Sequence, residues 1–234
     1  MKVLLLSGGG FKGASQLPII DKLCADHRYD LILGVSVGAI NGVMAAQGDF
    51  DLMWRIWQNI DSNHPFFGVK GYLSLSFWRN KGVYSLKPLA KQLNKHVFLN
   101  RLYSPYGCGS VARETGEYHT FYSSDMKTDK ELRQAVLASS AIAGLMEPYR
   151  VNINGIIKTM SDGGHRHVLP LPPEGATHID AVCCFPIREK PRTYDQINSI
   201  YESARWLIDM QMEANQLADI EHLKHLAHDG AKVT

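Results

Sequence analysis

The chain has 234 residues, with 25 Lys and Arg against 23 Asp and Glu and a formal charge of +2. Hydrophobic residues make up 45% and charged residues 21%, a globular balance that excludes disordered, collagenous and coiled-coil chains. The near-neutral charge argues against nucleic acid as a partner. The four cysteines, Cys24, Cys108, Cys183 and Cys184, fit neither a zinc site nor a disulfide framework, so we expect buried free thiols and a reducing compartment.

The first predicted element is a short buried strand over residues 3–6, closed by glycines. Its apolar stretch is shorter than the core of a signal peptide, and no apolar run is long enough to span a bilayer. We therefore expect a cytoplasmic protein without signal peptide or transmembrane segment, which contacts a membrane peripherally. A helix is expected over residues 14–24, a strand over 30–35 and a second helix over 37–46. Asp51 is expected to N-cap a third helix with an apolar face made of Leu52, Met53, Ile56, Trp57 and Ile60.

Residues 64–85 concentrate aromatic side chains among glycines and are expected to form a cap or insertion. Further helices are expected over 86–98, 130–138 and most of 196–227, strands over 117–123 and 179–185, and a hairpin over 151–160 with an Asn154-Gly155 turn. The last helix is expected to align Ile197, Ile200, Ala204, Leu207 and Ile208 on one stripe. The alternation of strands and helices predicts an α/β fold, with a mainly parallel sheet covered by helices on both faces.

The first segment with potential chemistry is Gly8-Gly9-Gly10-Phe11-Lys12-Gly13, directly after the first strand. Glycines allow backbone N–H groups to approach a negative group, and a helix N-terminus adds a favourable partial charge. The segment also satisfies the G-x-G-x-x-G pattern of dinucleotide-binding proteins, but Asp30 precedes the second strand instead of following it. A P-loop is excluded because Ala14 stands where that motif requires lysine. A structural turn without ligand is the remaining alternative.

The second segment is Gly34-Val35-Ser36-Val37-Gly38, between a predicted strand and a predicted helix. This is the setting of a nucleophile elbow, in which flanking glycines permit a sharp turn that exposes the serine hydroxyl. The alternative is a serine that only caps the helix. The third segment is Ser161-Asp162-Gly163-Gly164, which is either a simple turn or the carboxylate that serves as base to a serine.

Taken in this order, the glycine loop, the elbow and Asp-Gly-Gly resemble the patatin-like phospholipase family. The resemblance extends over residues 3 to about 185 and includes Ala138-Ser139-Ser140-Ala141-Ile142, which is similar to the small-residue segment upstream of the family's aspartate. Two departures are Ala143, where many relatives carry proline, and Lys12, where arginine is commoner. The resemblance implies a catalytic domain over residues 1–190, which includes the cap or insertion at 64–85. Residues 191–234 carry no motif of the family, and we expect them to form a helical extension that packs on the same domain.

The resemblance further implies a serine lipid acyl hydrolase, of the phospholipase A or esterase type, that needs no metal or cofactor. Carried onto this chain, Ser36 is the nucleophile and Asp162 is its base. Backbone amides of Gly8, Gly9, Gly10 and Phe11 would form the oxyanion hole. Lys12, Gly13, Gly34, Gly38, Gly163 and Gly164 would support the motifs. The implied partner is a phospholipid or another acyl ester at a membrane surface.

The sequence leaves alternatives open for the catalytic base, for a metal site and for the function. His165 and His167 follow Asp162 in the chain order of a Ser–Asp–His triad, although such a histidine usually comes from a separate loop. The same two histidines lack a third ligand for a metal, and His222, His225 and His228 are expected on a solvated helix face. The aromatic residues of 64–85 either pack on the sheet edge or form an acyl-pocket wall that meets lipid. A lipid-binding module with little catalysis and a dinucleotide-binding enzyme are the competing functions.

Overall fold

The computed structural model describes residues 1–59, 68–69, 84–153, 155–186 and 200–234. The helices are α1 Leu17–Asp26, α2 Val37–Ala46, α3 Phe50–Gln58, α4 Lys87–His96, α5 Asp129–Ser139 and α6 Ile200–His228. The strands are β1 Lys2–Leu6, β2 Leu31–Val35, β3 Gly68–Val69, β4 Tyr84–Ser85, β5 Tyr106–Ala112, β6 Tyr118–Tyr122, β7 Tyr149–Ile153, β8 Ile156–Asp162, β9 His178–Val182 and β10 Lys232–Val233. Short 3-10 helices cover Gly10–Gln16, Leu99–Arg101, Ser123–Asp125 and Gly163–His165.

Eight of these strands form one sheet in the order β10-β9-β1-β2-β5-β8-β7, with β6 also paired to β5. The pairings from β10 to β5 are parallel, whereas β6, β7 and β8 join in antiparallel orientation. The predicted α/β fold is confirmed, with a sheet that is parallel through its centre and antiparallel at one side. The pair β3–β4 forms a separate antiparallel ribbon.

Alternating side chains of β1 show how both faces of the sheet are covered. Leu4 and Leu6 point into the large core cluster, with α1 and α2 residues such as Ile20 and Val43. Val3 and Leu5 point to the opposite face and pack in a second cluster with Leu223 of α6. A strand buried on both faces reads as a continuous apolar run, which is why residues 3–6 were recognisable in the sequence. No helix in the described part of the chain is long and apolar enough to cross a membrane.

Three predicted element boundaries are corrected by the structure. The first helix begins at Leu17 instead of residue 14, because Gly10–Gln16 forms a 3-10 helix. The residue at the N-cap of α3 is Asp49, and Asp51 lies within the first turn. The strand expected over residues 179–185 ends at Val182.

Other predictions differ in position or burial. The stripe on the last helix is wrong at Leu207, whose side chain is 59% exposed. The expected hairpin is present, with Ile153 opposite Ile156 and Gly155 at a φ of +80°, while Asn154 lies outside the described residues. Of the expected cap, only the ribbon strands β3 and β4 lie within the described residues. The four cysteines are free: Cys108 and Cys184 are buried, and Cys24 and Cys183 are half-buried.

Candidate active site

Ser36 occupies a strained turn between β2 and α2. Its φ of +56° makes it the only non-glycine residue with positive φ in the described part of the chain. A Cβ added at Gly34 would collide with the carbonyl oxygen of Gly38, and one added at Gly38 would collide with the carbonyl oxygen of Leu6. The turn therefore requires glycine at both positions, as a nucleophile elbow does, and strain of this kind is typical of functional sites.

Strand β5 brings Asp162 to Ser36. One edge of β5 pairs with β6 over Gly107–Val111, so β2 and β8 must share the other edge. On that shared edge Val35 pairs with Gly109, and Asp162 pairs with the next residue, Ser110. The C-terminal ends of β2 and β8 thus meet head to head. The residue that follows Val35 is Ser36, which places the serine beside Asp162.

The Asp162 carboxyl is buried, with 1% of its surface exposed. Its Oδ1 accepts a hydrogen bond of 2.8 Å from the Gly164 N–H, whereas Oδ2 accepts none from a described residue. Burial raises the pKa of this carboxyl, and the nearby Ser36 hydroxyl and the Gly164 N–H offset part of that rise. A carboxylate with a raised pKa and one unengaged oxygen beside a serine hydroxyl has the properties of a general base.

The small-residue segment at the C-terminal end of α5 holds both of these residues in place. Ser139 Oγ accepts a hydrogen bond of 3.0 Å from the Ser36 N–H and donates one of 2.6 Å to the carbonyl oxygen of Gly109. The Asp162 N–H donates to the carbonyl oxygen of Ala141 at 2.8 Å. The sequence identified this segment only by resemblance, and its contacts with the elbow were not predicted.

Gly8 lies against the nucleophile. A Cβ added to it would come 3.3 Å from Ser36 Cβ. Its N–H, however, donates a hydrogen bond of 2.9 Å to the carbonyl oxygen of Val168. That amide is consequently engaged, which removes Gly8 from the predicted set of oxyanion donors.

The other three predicted donors have a different environment. The first hydrogen bond of the 3-10 helix runs from the Lys12 N–H to the carbonyl oxygen of Gly9, at 3.2 Å. The N–H groups of Gly10 and Phe11 precede that bond, so they lie outside the helical ladder, as the first N–H groups of any helix do. Gly10 has a φ of +57°, which favours glycine. These amides and that of Gly9 are the candidate donors of the loop.

Buried amide side chains fasten the same loop to its surroundings. Gln16 Nε2 donates to the carbonyl oxygens of Ser7 and Val182, at 3.1 and 2.9 Å. Asn41 Nδ2 donates to the carbonyl oxygen of Gly13 at 3.0 Å. Because a buried polar group that loses its partner costs free energy, these bonds restrict the loop to one arrangement.

The remaining motif residues have packing roles. A Cβ added at Gly13 would collide with the side chain of Val37, and one at Gly163 would come 2.5 Å from the carbonyl oxygen of Gly109. A Cβ at Gly164 would lie 3.1 Å from Asp162 Oδ1. The Lys12 ammonium lies 3.8 Å from Asp209 Oδ1 of α6 and 3.7 Å above the centre of the Phe185 ring.

The histidines near Asp162 are engaged elsewhere. His165 Nε2 accepts a hydrogen bond of 2.9 Å from the Ala143 N–H, so that its lone pair is occupied. His167 Nδ1 lies 2.7 Å from Asp219 Oδ1 of α6. His222, His225 and His228 are exposed on α6, as expected. Within the described ranges, no three His, Cys, Asp or Glu side chains gather in a way that would hold a metal ion.

Helix α6 also reaches the site, and no sequence motif indicated this. The Met212 methyl lies 3.3 Å from the position of a Cβ at Gly8 and 3.0 Å from that of a Cβ at Gly164. A hydrophobic residue in a long helix carries no signal of which loop it meets, so only the tertiary structure identifies this contact.

Comparisons with known proteins identify the family and the fold. A family model described as patatin-like phospholipase matches residues 4–173, more than half of the chain. Among solved structures, VipD from Legionella pneumophila is similar, with a TM-score of 0.51 and 15% sequence identity. The match covers 88% of this chain and 52% of VipD, so the chain spans about half of that protein, and at this identity the likeness concerns the fold. No curated protein matches the chain.

Proposed function

The chain belongs to the patatin-like phospholipase family, and from this premise we propose that it is a serine hydrolase of lipid acyl esters. The observation that carries the proposal is the meeting of Ser36 and Asp162 at the facing ends of β2 and β8, next to Gly8 of the glycine loop. A strained serine, a buried carboxylate and a loop of backbone N–H groups are the parts that acyl transfer requires.

In the first step, Ser36 Oγ attacks the ester carbonyl carbon while its proton passes to the Asp162 carboxylate. The resulting tetrahedral intermediate collapses when the carbon–oxygen bond to the alcohol breaks and the alcohol oxygen takes the proton from Asp162. The acyl group is then bound to Ser36 Oγ. In the second step, water attacks this acyl-enzyme and gives its proton to Asp162. Collapse of the second intermediate returns that proton to Ser36 and releases the fatty acid.

The carbonyl oxygen becomes negative in both intermediates, and donors already in place stabilise it without reorganising. We assign this role to the amides of Gly9, Gly10 and Phe11, since the Gly8 amide is engaged with Val168. Loss of one such donor typically reduces kcat by about 100- to 1000-fold.

The substrate class we propose is a phospholipid or another fatty-acyl ester presented by a membrane. The Phe11 side chain supports contact with such a surface, because it is 59% exposed in the glycine loop beside the site. Exposed aromatic side chains partition favourably into the interface of a bilayer.

Reaction with a fluorophosphonate probe tests this proposal. The purified protein is incubated with the probe, digested, and its adducts are located by mass spectrometry. We expect one adduct, on Ser36, and no adduct in the Ser36→Ala variant. A folded wild type that remains unlabelled would contradict the proposal and favour the lipid-binding alternative. Labelling that persists in the variant would contradict it by placing the reactive nucleophile at another residue.

A further inference from the structure

Helix α6 is fastened to the segment that follows Asp162. Asn215 Nδ2 donates a hydrogen bond of 2.9 Å to the carbonyl oxygen of Gly164, and Gln211 Nε2 donates one of 3.3 Å to that of His165. One turn further along, Asp219 Oδ2 accepts from the Leu169 N–H at 3.0 Å. These contacts place successive turns of the helix against the loop of the catalytic base, so the side chains between them have defined positions.

Met212 is the side chain of α6 that reaches the nucleophile. Its methyl carbon and Ser36 Cβ each lie 3.3 Å from the position that a Cβ on Gly8 would occupy. The two atoms are therefore no farther apart than twice that distance. The same methyl lies 3.0 Å from the corresponding position on Gly164. Met212 thus stands beside Ser36, between the glycine loop and the loop that follows Asp162, with 9% of its surface exposed.

The surroundings of Met212 are apolar. It belongs to a buried cluster with Val37, Val168, Cys184 and Phe185, against which Trp57 and Ile208 also pack. Transfer of a hydrocarbon chain from water into such surroundings is favourable. A charged lipid headgroup would lose its hydration there without compensation. An ester whose carbonyl is held at Ser36 would accordingly place its acyl chain on this side.

We propose that Met212 is a specificity-determining residue that contacts the acyl chain next to the ester carbonyl, an inference that rests on the proposed function. The unbranched thioether side chain adapts its shape to its neighbours, so it can make room for a linear acyl chain while it limits one that is branched next to the carbonyl. The residue lies outside the range 4–173 that matches the family, which makes this wall a contribution of the chain's own C-terminal helix.

The test compares wild type, Met212→Ala and Met212→Phe on p-nitrophenyl butyrate, 2-methylbutyrate and 2-ethylbutyrate, which differ only in the bulk next to the ester carbonyl. We expect Met212→Ala to raise kcat/KM for 2-methylbutyrate relative to butyrate by about 10-fold or more, since the shorter side chain leaves room for the added methyl group and such a group is worth that much in an apolar pocket. Met212→Phe should change the ratio in the opposite direction. Leu217→Ala, a 46% exposed leucine on the same helix, is the matched control and should leave the ratio unchanged.

Parallel acyl-chain profiles for wild type and both Met212 variants would overturn the inference. So would a shift that follows the alcohol, measured with butyrate esters of leaving groups of increasing size. If wild type hydrolyses no ester and Ser36 does not react with the fluorophosphonate, the proposed function fails as well. If wild type hydrolyses the esters and Ser36 is labelled, but the profiles are parallel, only the role of Met212 is refuted. Should Met212→Ala not fold, as judged by its thermal midpoint, the volume-conserving Met212→Leu replaces it as the reference for Met212→Phe.

Discussion

At the scale of single residues, Asp162 shows how burial both enables function and limits stability. Its raised pKa means that the native protein holds this proton more tightly than the unfolded chain does. The stabilisation from protonation is complete below the ordinary pKa of aspartate and is lost as pH rises through the raised pKa. When Asp162 is ionised, as its role as a base requires, its environment therefore opposes its charge.

The Asp162→Asn variant should separate these two effects. We expect its kcat to fall by at least about 100-fold, because no general base remains. Its thermal midpoint should exceed that of wild type at neutral pH, and the difference should shrink as pH falls below the raised pKa, where the wild-type carboxyl is also neutral. Thermal unfolding followed across this pH range checks the sign, and a variant less stable than wild type at neutral pH would contradict it.

Ser139 is expected to act as a positioning residue for the elbow. Ser139→Ala removes an acceptor from the Ser36 N–H and a donor from the carbonyl oxygen of Gly109, both buried. We expect a loss of about 1–3 kcal/mol in unfolding free energy, measured by denaturant titration. We also expect kcat to fall with KM little changed.

Ser123→Ala is the matched control for that variant, since the Ser123 hydroxyl also accepts a hydrogen bond from a backbone N–H, that of Tyr106 at 3.1 Å, but at the opposite end of β5 from Asp162. Equal losses of kcat in the two variants would show that Ser139 has no special relation to the nucleophile.

Ser36 and Asp162 could be proposed from the sequence because glycines mark the turns on which they lie. The groups that hold these two residues in place could not be proposed from the sequence. Val168 takes the Gly8 N–H through its carbonyl oxygen, a group that every residue has. Ser139 resembles any other serine at a helix end until its distance to Ser36 is known. Contacts between backbone groups distant in sequence leave no residue-type signature.

At the scale of elements, the elbow between β2 and α2 depends on space and not only on conformational freedom. Gly34→Ala would place a methyl group into the carbonyl oxygen of Gly38, and we expect this variant to lose its folded state. Gly10→Ala is the contrasting change: its φ is +57°, but a Cβ there meets no described atom within 4 Å. It should cost only the strain of the left-handed conformation, roughly 1–2 kcal/mol.

Circular dichroism and thermal unfolding of these two variants check that order. A Gly34→Ala protein that is as stable as Gly10→Ala would contradict the packing argument.

Strand β5 lies at the centre of the sheet, yet the sequence failed to indicate it. Its sequence, YGCGSVA, contains two glycines, which are depleted in strands. The structure gives the reason for both: a Cβ at Gly107 would come 2.7 Å from the Leu33 side chain, and one at Gly109 would collide with the Tyr118 ring. Glycine here reflects close packing with neighbours that are remote in sequence.

At the scale of the whole molecule, sheet order assembles the site. The glycine loop follows the C-terminal end of β1, and Ser36 follows that of the adjacent parallel strand β2. Ligands of open α/β sheets bind at these ends. The alternation of strands and helices was sufficient to predict the α/β class. The order of the strands and the antiparallel direction of β8 depend on how the chain connects one strand to the next across the sheet, and no local sequence pattern encodes that.

The C-terminal segment is expected to be required for folding, although the family match ends at residue 173. Leu223 of α6 packs with Val3, Leu5 and Leu33 on one face of the sheet, and β10 pairs with β9. A chain that ends at residue 186 would expose this face, so we expect it to be insoluble or to lack a cooperative unfolding transition. A soluble 1–186 chain with wild-type activity would contradict this expectation.

The measurement that tests the central claim most directly is the release of fatty acid from mixed phospholipid vesicles. Wild type, Ser36→Ala, Asp162→Asn and His165→Ala are compared at equal folded concentration, with His222→Ala as an exposed control. We predict release by wild type, loss in the Ser36 and Asp162 variants, and activity within about 10-fold of wild type for His165→Ala, since a dyad needs no histidine base. Full activity in the Ser36 or Asp162 variant, or loss in a folded His165→Ala protein, would contradict the Ser36–Asp162 dyad.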